Sequence, residues 1–71
     1  MSFIILYKEP ITITFKELNS ETVEDLKRVI TKHYDISIPY LLLDLGRVMH
    51  DNEILKEIGR NSFTLHLINS T

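Results

Sequence analysis

One segment of this 71-residue chain, Thr22 to Tyr34 (TVEDLKRVITKHY), limits what the rest can become. Val23, Leu26, Ile30 and Tyr34 recur at steps of three and four, which sets them on one apolar stripe of a helix with Val29 on its shoulder. Thr22 stands where an N-cap belongs, its hydroxyl able to accept from a first-turn N–H, with Asp25 as a shorter form of the capping-box carboxylate. Glu21, Glu24 and Asp25 crowd the N-terminal end and Arg28, Lys32 and His33 the C-terminal end, the order the helix dipole favours. A helix of about 13 residues is marginal alone in water, because nucleation is unfavourable and tertiary packing supplies most helical stability. It needs a sheet to lie on, and the flanking sequence supplies strands.

Before the helix, Phe3 to Tyr7 (FIILY) is an unbroken β-branched and aromatic run, the pattern of a central strand covered on both faces. Lys8, Glu9 and Pro10 break it, and Ile11 to Phe15 (ITITF) alternates, placing Ile11, Ile13 and Phe15 opposite Thr12 and Thr14. The short connection makes these two an antiparallel hairpin. Beyond the helix, Ile36 and Ile38 are expected to plug its far end, and Pro39 forces an extended backbone at Ile38. Tyr40 to Leu45 (YLLLDL) reads as a third strand closed by Gly46, and Arg47 to Met49 as a short return strand. His50-Asp51-Asn52 suits a turn with local side-chain bonding. Ile54, Leu55 and Ile58 have helical spacing over a turn or two, ended by Gly59. Ser62 to Ile68 (SFTLHLI) alternates again as the last strand. One amphipathic helix across a mixed sheet, with the apolar first strand beside the last, is the economical way to bury these elements: an α+β, β-grasp arrangement.

Length and composition bound the function. The chain is expected to be a single domain over residues 1–71, near the size at which a core barely suffices. A net charge of -2 with no basic run argues against nucleic acid as a partner, since phosphate binding draws on concentrated Lys and Arg. Cysteine is absent, which rules out disulfide staples and thiolate metal sites and fits the cytosol or nucleus. The apolar opening MSFIILY is too short for a membrane span and lacks the features of a signal peptide. His33, His50 and His66 fall on separate elements, no HExxH pattern occurs, and no serine sits in a nucleophile elbow. No enzyme activity, metal or cofactor is therefore expected. Tyr7, Tyr34 and Tyr40 read as packing aromatics with wet hydroxyls.

Over nearly its whole length the sequence resembles the ubiquitin family. Thr12 to Ile36 (TITFKELNSETVEDLKRVITKHYDI) is similar to ubiquitin's second strand, loop and helix without a gap. LGRVMHD, Leu45 to Asp51, looks like the family's turn of small residue, Gly, basic residue and acidic close, and SFTLHLI echoes ubiquitin's ending STLHLV. The resemblance implies a ubiquitin-like β-grasp, a mixed sheet of four to five strands (ββαββ) with the helix on one face. It also implies a pair between Lys27 and Asp51. Glu17 falls where the family prefers an apolar residue, and Leu18 is expected to take its place through a bulge or shift. The departures matter as well. Leu6, Ile11, Val29, His33 and Arg47 stand where ubiquitin carries linkage lysines, and Asn69-Ser70-Thr71 replaces the Gly-Gly tail through which the family is conjugated. The expectation is a ubiquitin-like domain of non-conjugating type.

Such domains are recognised through the sheet face that the helix leaves open. On that face the resemblance puts Leu6, Leu43, His66 and Ile68, with Arg47 at the rim, as a surface for other proteins: ubiquitin-receptor-type modules or subunits of a complex. His66 is read as a surface contact, histidine being the side chain whose charge changes near neutral pH. The bland alternative is that Leu43 and Ile68 merely cover sheet edges. The register of the third strand leaves two choices. If Leu42 faces the core, Asp44 does too and Leu43 points out; if Leu41, Leu43 and Leu45 face in, Leu42 points out and Asp44 is wet. Leu43 is the first choice and Leu42 the reserve. The domain is expected to be a monomer on its own. Two other roles stay open: a covalent modifier whose Gly-Gly lies beyond Thr71, and a scaffold subunit whose outer face is permanently covered.

Overall fold

A computed structural model of the chain describes residues 1–70. Five strands, β1 (Ser2–Leu6), β2 (Ile11–Thr14), β3 (Tyr40–Asp44), β4 (Arg47–Val48) and β5 (Ser62–Asn69), form one sheet in the order β2-β1-β5-β3-β4. The helix α1 (Val23–Tyr34) lies across one face, and 3-10 turns occupy Phe15–Glu17 and Leu55–Ile58. β1 runs parallel to β5, in the register Phe3↔Phe63 and Ile5↔Leu65, and every other neighbouring pair is antiparallel. This is the mixed β-grasp topology expected from the sequence, with the first strand beside the last.

The core is the space between α1 and the sheet. Val23, Leu26 and Ile30 are fully buried on the helix stripe, and Phe3, Ile5, Leu42, Phe63 and Leu65 face them from β1, β3 and β5. Phe3 and Phe63, directly paired in the ladder, stack at 5.1 Å between centroids. Leu55 and Met49 close the end of the layer. Leu18 packs on its edge while Glu17 turns outward and accepts from the Thr14 N–H at 2.6 Å, as the shift at this position required.

Both helix ends find partners, and not all are the expected groups. Thr22 caps the first turn, its hydroxyl accepting from Asp25 N at 3.3 Å. Asp25 does not complete a capping box: its carboxylate accepts from Asn19 N at 2.6 Å and Ser20 N at 3.3 Å, and takes Arg28 Nε at 2.8 Å on its other oxygen. Two orphan N–H groups of the first turn instead find the loop after β4, Val23 N donating to Glu53 O at 3.0 Å and Glu24 N to Asp51 O at 2.9 Å. Asp35, left-handed at φ 54°, ends the helix.

Three further expectations need correction. The first strand is covered on one face only, for Ile4 is exposed on the other. Ile38 is also exposed, leaving Ile36 alone to pack under the helix end. The Tyr40 hydroxyl is not wet: it donates to Lys27 O and meets the Thr31 hydroxyl, each at 2.7 Å, while the exposed Tyr34 hydroxyl donates to Glu9 O at 2.7 Å. Burial accordingly raises the Tyr40 and Tyr34 hydroxyls above the usual phenol range, by disfavouring the phenolate.

Candidate interaction face

The sheet's outer face is built by strand alternation. Because Phe3, Ile5, Leu42, Phe63 and Leu65 point at the helix, their neighbours Ile4, Leu6, Leu41, Leu43, Thr64, His66 and Ile68 point away from it. The ladder then sets four of the outward side chains in one row across four strands: Leu6 beside His66, His66 beside Leu43, and Leu43 beside Val48. Leu41 and Ile68 form the next pair along β3 and β5, and Ile4 lies between Thr12 and Thr64 on the other side. Leu6, Leu41, Leu43 and Val48 are half-buried, while Ile4 (39% exposed), Ile68 (43%) and His66 stand clear. None of the outward strand positions among the described residues carries Asp, Glu, Lys or Arg. The surface is an uncharged, mainly aliphatic patch with one imidazole near its middle.

The register of β3 buries a charge. Leu42 is fully buried and Leu43 points out, so Asp44 is carried inward, where it is 5% exposed. Arg60, from the segment before β5, meets Asp44 Oδ2 and at the same time lies over the Phe63 ring, 4.5 Å from its centroid. Asp44 Oδ1 has no hydrogen-bond partner among the described residues. A buried carboxylate is tolerated only when paired; Arg47, three residues on, is engaged by Glu53, and Arg60, sixteen residues on, is what meets Asp44 in this register.

Of the residues singled out in the sequence, Leu6, Leu43, His66 and Ile68 come together on the outer face. Arg47 does not join them as a free basic rim. It stands across from Asp44, and its guanidinium meets Glu53 at 3.0 Å. Arg47, helped by the His50 N–H, holds the Glu53 carboxyl below its usual range. Sequence reasoning missed Ile4, Leu41 and Val48. Leu41 was reachable as the residue two before Leu43, and Val48 as its cross-strand partner over a two-residue turn. The implied pair of Lys27 with Asp51 is present at 3.0 Å, with Lys27 also over the Tyr40 ring.

Elsewhere, a surface groove of about 520 Å³ lies along Arg28, Thr31, Lys32 and the Asp35-Ile36 turn, and the Thr31 hydroxyl at its edge is already engaged by Tyr40. Among the described residues no cluster of three His, Asp or Glu side chains gathers to hold a metal ion. No helix among them is long and apolar enough to cross a membrane.

A mixed five-stranded sheet in this order, one helix across it and a 3-10 turn ahead of the last strand define a protein of ubiquitin-like β-grasp fold. Among solved structures the chain is similar to the ubiquitin of Caldiarchaeum subterraneum, with a TM-score of 0.79 at 20% identity over 100% of this chain and 94% of that one. At that identity the likeness is one of fold. No protein-family model matches the sequence, and no curated protein does.

Proposed function

We propose that this protein is a non-enzymatic interaction domain that binds partner proteins non-covalently through the sheet face opposite α1, with Leu6, Leu43, His66 and Ile68 as its centre and Arg47 near its edge. One observation carries the reading: the row of Leu6, His66, Leu43 and Val48 is continuous across four strands, apolar at three positions of four, and on the face that no described element packs across. An aliphatic patch of this kind on a small domain gains free energy when covered, and sheet edges alone would not need a row that crosses the sheet's centre. Partners suited to it present a complementary apolar surface, as ubiquitin-receptor modules or subunits of a complex do. The contact is small, so affinities are micromolar or weaker. The absence of cysteine suits a role in the cytoplasm or nucleus, within a ubiquitin-type pathway.

Titration with ubiquitin-receptor modules, followed through backbone amide shifts, tests the proposal. The expected perturbations centre on β5 and β3, and Leu43→Ala or Ile68→Ala weakens binding while the melting temperature stays nearly unchanged. Perturbations that avoid β5 altogether overturn it. The likeness to an archaeal ubiquitin favours a second reading, a covalent modifier, and the reading frame decides that one. A Gly-Gly encoded just downstream of Thr71 supports it, and a stop codon or a long further domain ends it.

A further inference from the structure

β2 is an edge strand of the sheet, paired with β1 on one side only. Phe15 N donates to Met1 O at 3.0 Å, so Phe15 and, by alternation, Ile13 and Ile11 direct their backbone groups at β1. Thr12 and Thr14 direct theirs away from the sheet, and such an edge is a template for another strand. The sequence adds to that tendency. Residues 11–15, ITITF, are uncharged, β-branched or aromatic at every position, and free of Pro and Gly, the composition of segments that pair between chains. The opposite edge, β4, is too short to serve in this way and carries the charged Arg47.

The Thr14 N–H at this edge is already taken. Glu17 reaches back so that its Oε2 accepts from Thr14 N at 2.6 Å and from the Thr14 hydroxyl at 3.2 Å. Glu17 is exposed and serves no packing role, which falls to Leu18 beside it. Its carboxylate oxygen thus stands where the carbonyl oxygen of an added strand would lie.

We propose that Glu17 is an edge guard, which keeps β2 from pairing with the β2 of a second copy of this chain. The pairing it prevents has a definite register. Two β2 strands laid antiparallel about a two-fold axis at Ile13 bring Thr12 of each copy opposite Thr14 of the other, and each such pair exchanges both of its N–H···O bonds. Half of those bonds are donated by Thr14 N–H, the group that Glu17 holds, and each Glu17 carboxylate would also face a Thr12 carbonyl of the other copy. A plain cap of the Phe15–Glu17 turn would use the same hydrogen bond for local stability alone. The two roles differ in what happens to self-association when the bond is lost, and neither depends on docking at the outer face.

Sedimentation equilibrium of the purified full-length chain over a wide concentration range, with amide spectra of each sample, is the test. Glu17→Ala should self-associate about 10-fold or more tightly than the wild type, the scale of two hydrogen bonds made available, with concentration-dependent shifts at Thr12 and Thr14. Glu17→Gln, whose amide oxygen still accepts, should behave as the wild type does. Thr12→Pro in the Glu17→Ala background removes an outward N–H and should abolish the gain; Thr12→Lys, which sets a charge on the edge and leaves the backbone intact, should do the same if the proline variant fails to fold. A Glu17→Ala protein that associates no more than the wild type overturns the guard, even if it unfolds at a lower urea midpoint, as loss of a plain turn cap would have it. So does a gain that survives both Thr12 variants, a gain equally large in Glu17→Gln, or a wild-type chain already paired through β2.

Discussion

Removing Arg60 should unsettle this domain far more than removing the carboxylate it serves. The Asp44 side chain is 6% exposed and the Arg60 side chain 35%, so only the acid is committed to the interior. Truncating one member of a buried pair leaves the other charged and unpaired, which costs on the order of 3 to 5 kcal/mol. Partial solvent screening at the Arg60 end lowers that figure, and loss of its stacking over Phe63 adds back a fraction, giving about 2 to 4 kcal/mol for Arg60→Ala. A domain of this length has roughly 4 to 10 kcal/mol in all. The variant should therefore melt at least 8 °C lower, at about 4 to 8 °C per kcal/mol, and unfold at a clearly lower urea midpoint.

The opposite change separates pairing from packing. In Asp44→Leu the desolvated carboxylate is gone, its partnerless Oδ1 with it, and Arg60 can extend into water along the Phe63 ring. Replacement of a whole buried ion pair by apolar residues is neutral or stabilising by about 1 to 4 kcal/mol, so with Arg60 able to reach water Asp44→Leu should cost less than Arg60→Ala even though leucine is the larger side chain. Arg60→Ala made in the Asp44→Leu background should then cost less than about 1 kcal/mol, so that the double variant is more stable than Arg60→Ala alone. Equilibrium urea unfolding of the four proteins gives the cycle directly. Should Asp44→Leu be the more damaging single change, or should the two effects simply add, the account of β3 register through a paired buried acid is refuted.

Three other outcomes follow from the same contacts. Leu26→Ala or Ile30→Ala, each opening a cavity under the helix stripe, should cost about 2 to 5 kcal/mol and leave a fraction of the domain unfolded at 37 °C, visible as lost amide dispersion. Tyr40→Phe deletes the hydroxyl that joins Lys27 O to Thr31 Oγ1 and should lower stability by about 1 to 2 kcal/mol in urea unfolding, with little change in fold. Acid should destabilise through Asp25 and Glu53. Arg28 chiefly, with the Asn19 and Ser20 N–H groups, lowers the first, and Arg47 chiefly, with the His50 N–H, lowers the second. Each folded-state pKa lies below its unfolded value, so the native state holds fewer protons there. The stabilisation is present above the ordinary carboxylate range and is lost as pH falls through the lowered values; melting curves from about pH 5 to 2 should show a shallower decline in Arg28→Ala or Arg47→Ala.

What could be read from the sequence was what local spacing encodes. The α1 stripe, its Thr22 cap, the ITITF alternation and the SFTLHLI strand each carry their evidence within a few residues and stand where expected, except that Phe15 opens a 3-10 turn and does not continue the second strand. What escaped depends on partners outside the local repeat, some a few residues away and some far along the chain. Asp25 looked like a capping residue because its local spacing allows it, yet its carboxylate anchors Asn19 and Ser20. The Tyr40 hydroxyl looked wet because Lys27 is 13 positions away, and the exposed Tyr34 hydroxyl finds Glu9 25 positions away.

The outer face was half legible for a related reason. In FIILY and YLLL every position is apolar, so a period of two leaves no trace, and such runs read equally well as strands covered on both sides. Only charges break that degeneracy, and in β3 the one charge available, Asp44, argued for the wet side. The strand takes the first of the two registers weighed from the sequence, Leu43 outward, and Arg60 meets the Asp44 that this register carries inside. Leu42 goes under the helix, Leu43 and Leu41 line up with His66 and Ile68, and Leu45 is left at the tip. Reversing the order of causes gives the sharper statement: whatever holds Asp44 inward also presents the candidate face. A variant that frees Asp44 without unfolding the domain should therefore perturb amides of β3 and the hairpin tip before those of β1 and β2, since the β1–β2 hairpin does not depend on that charge.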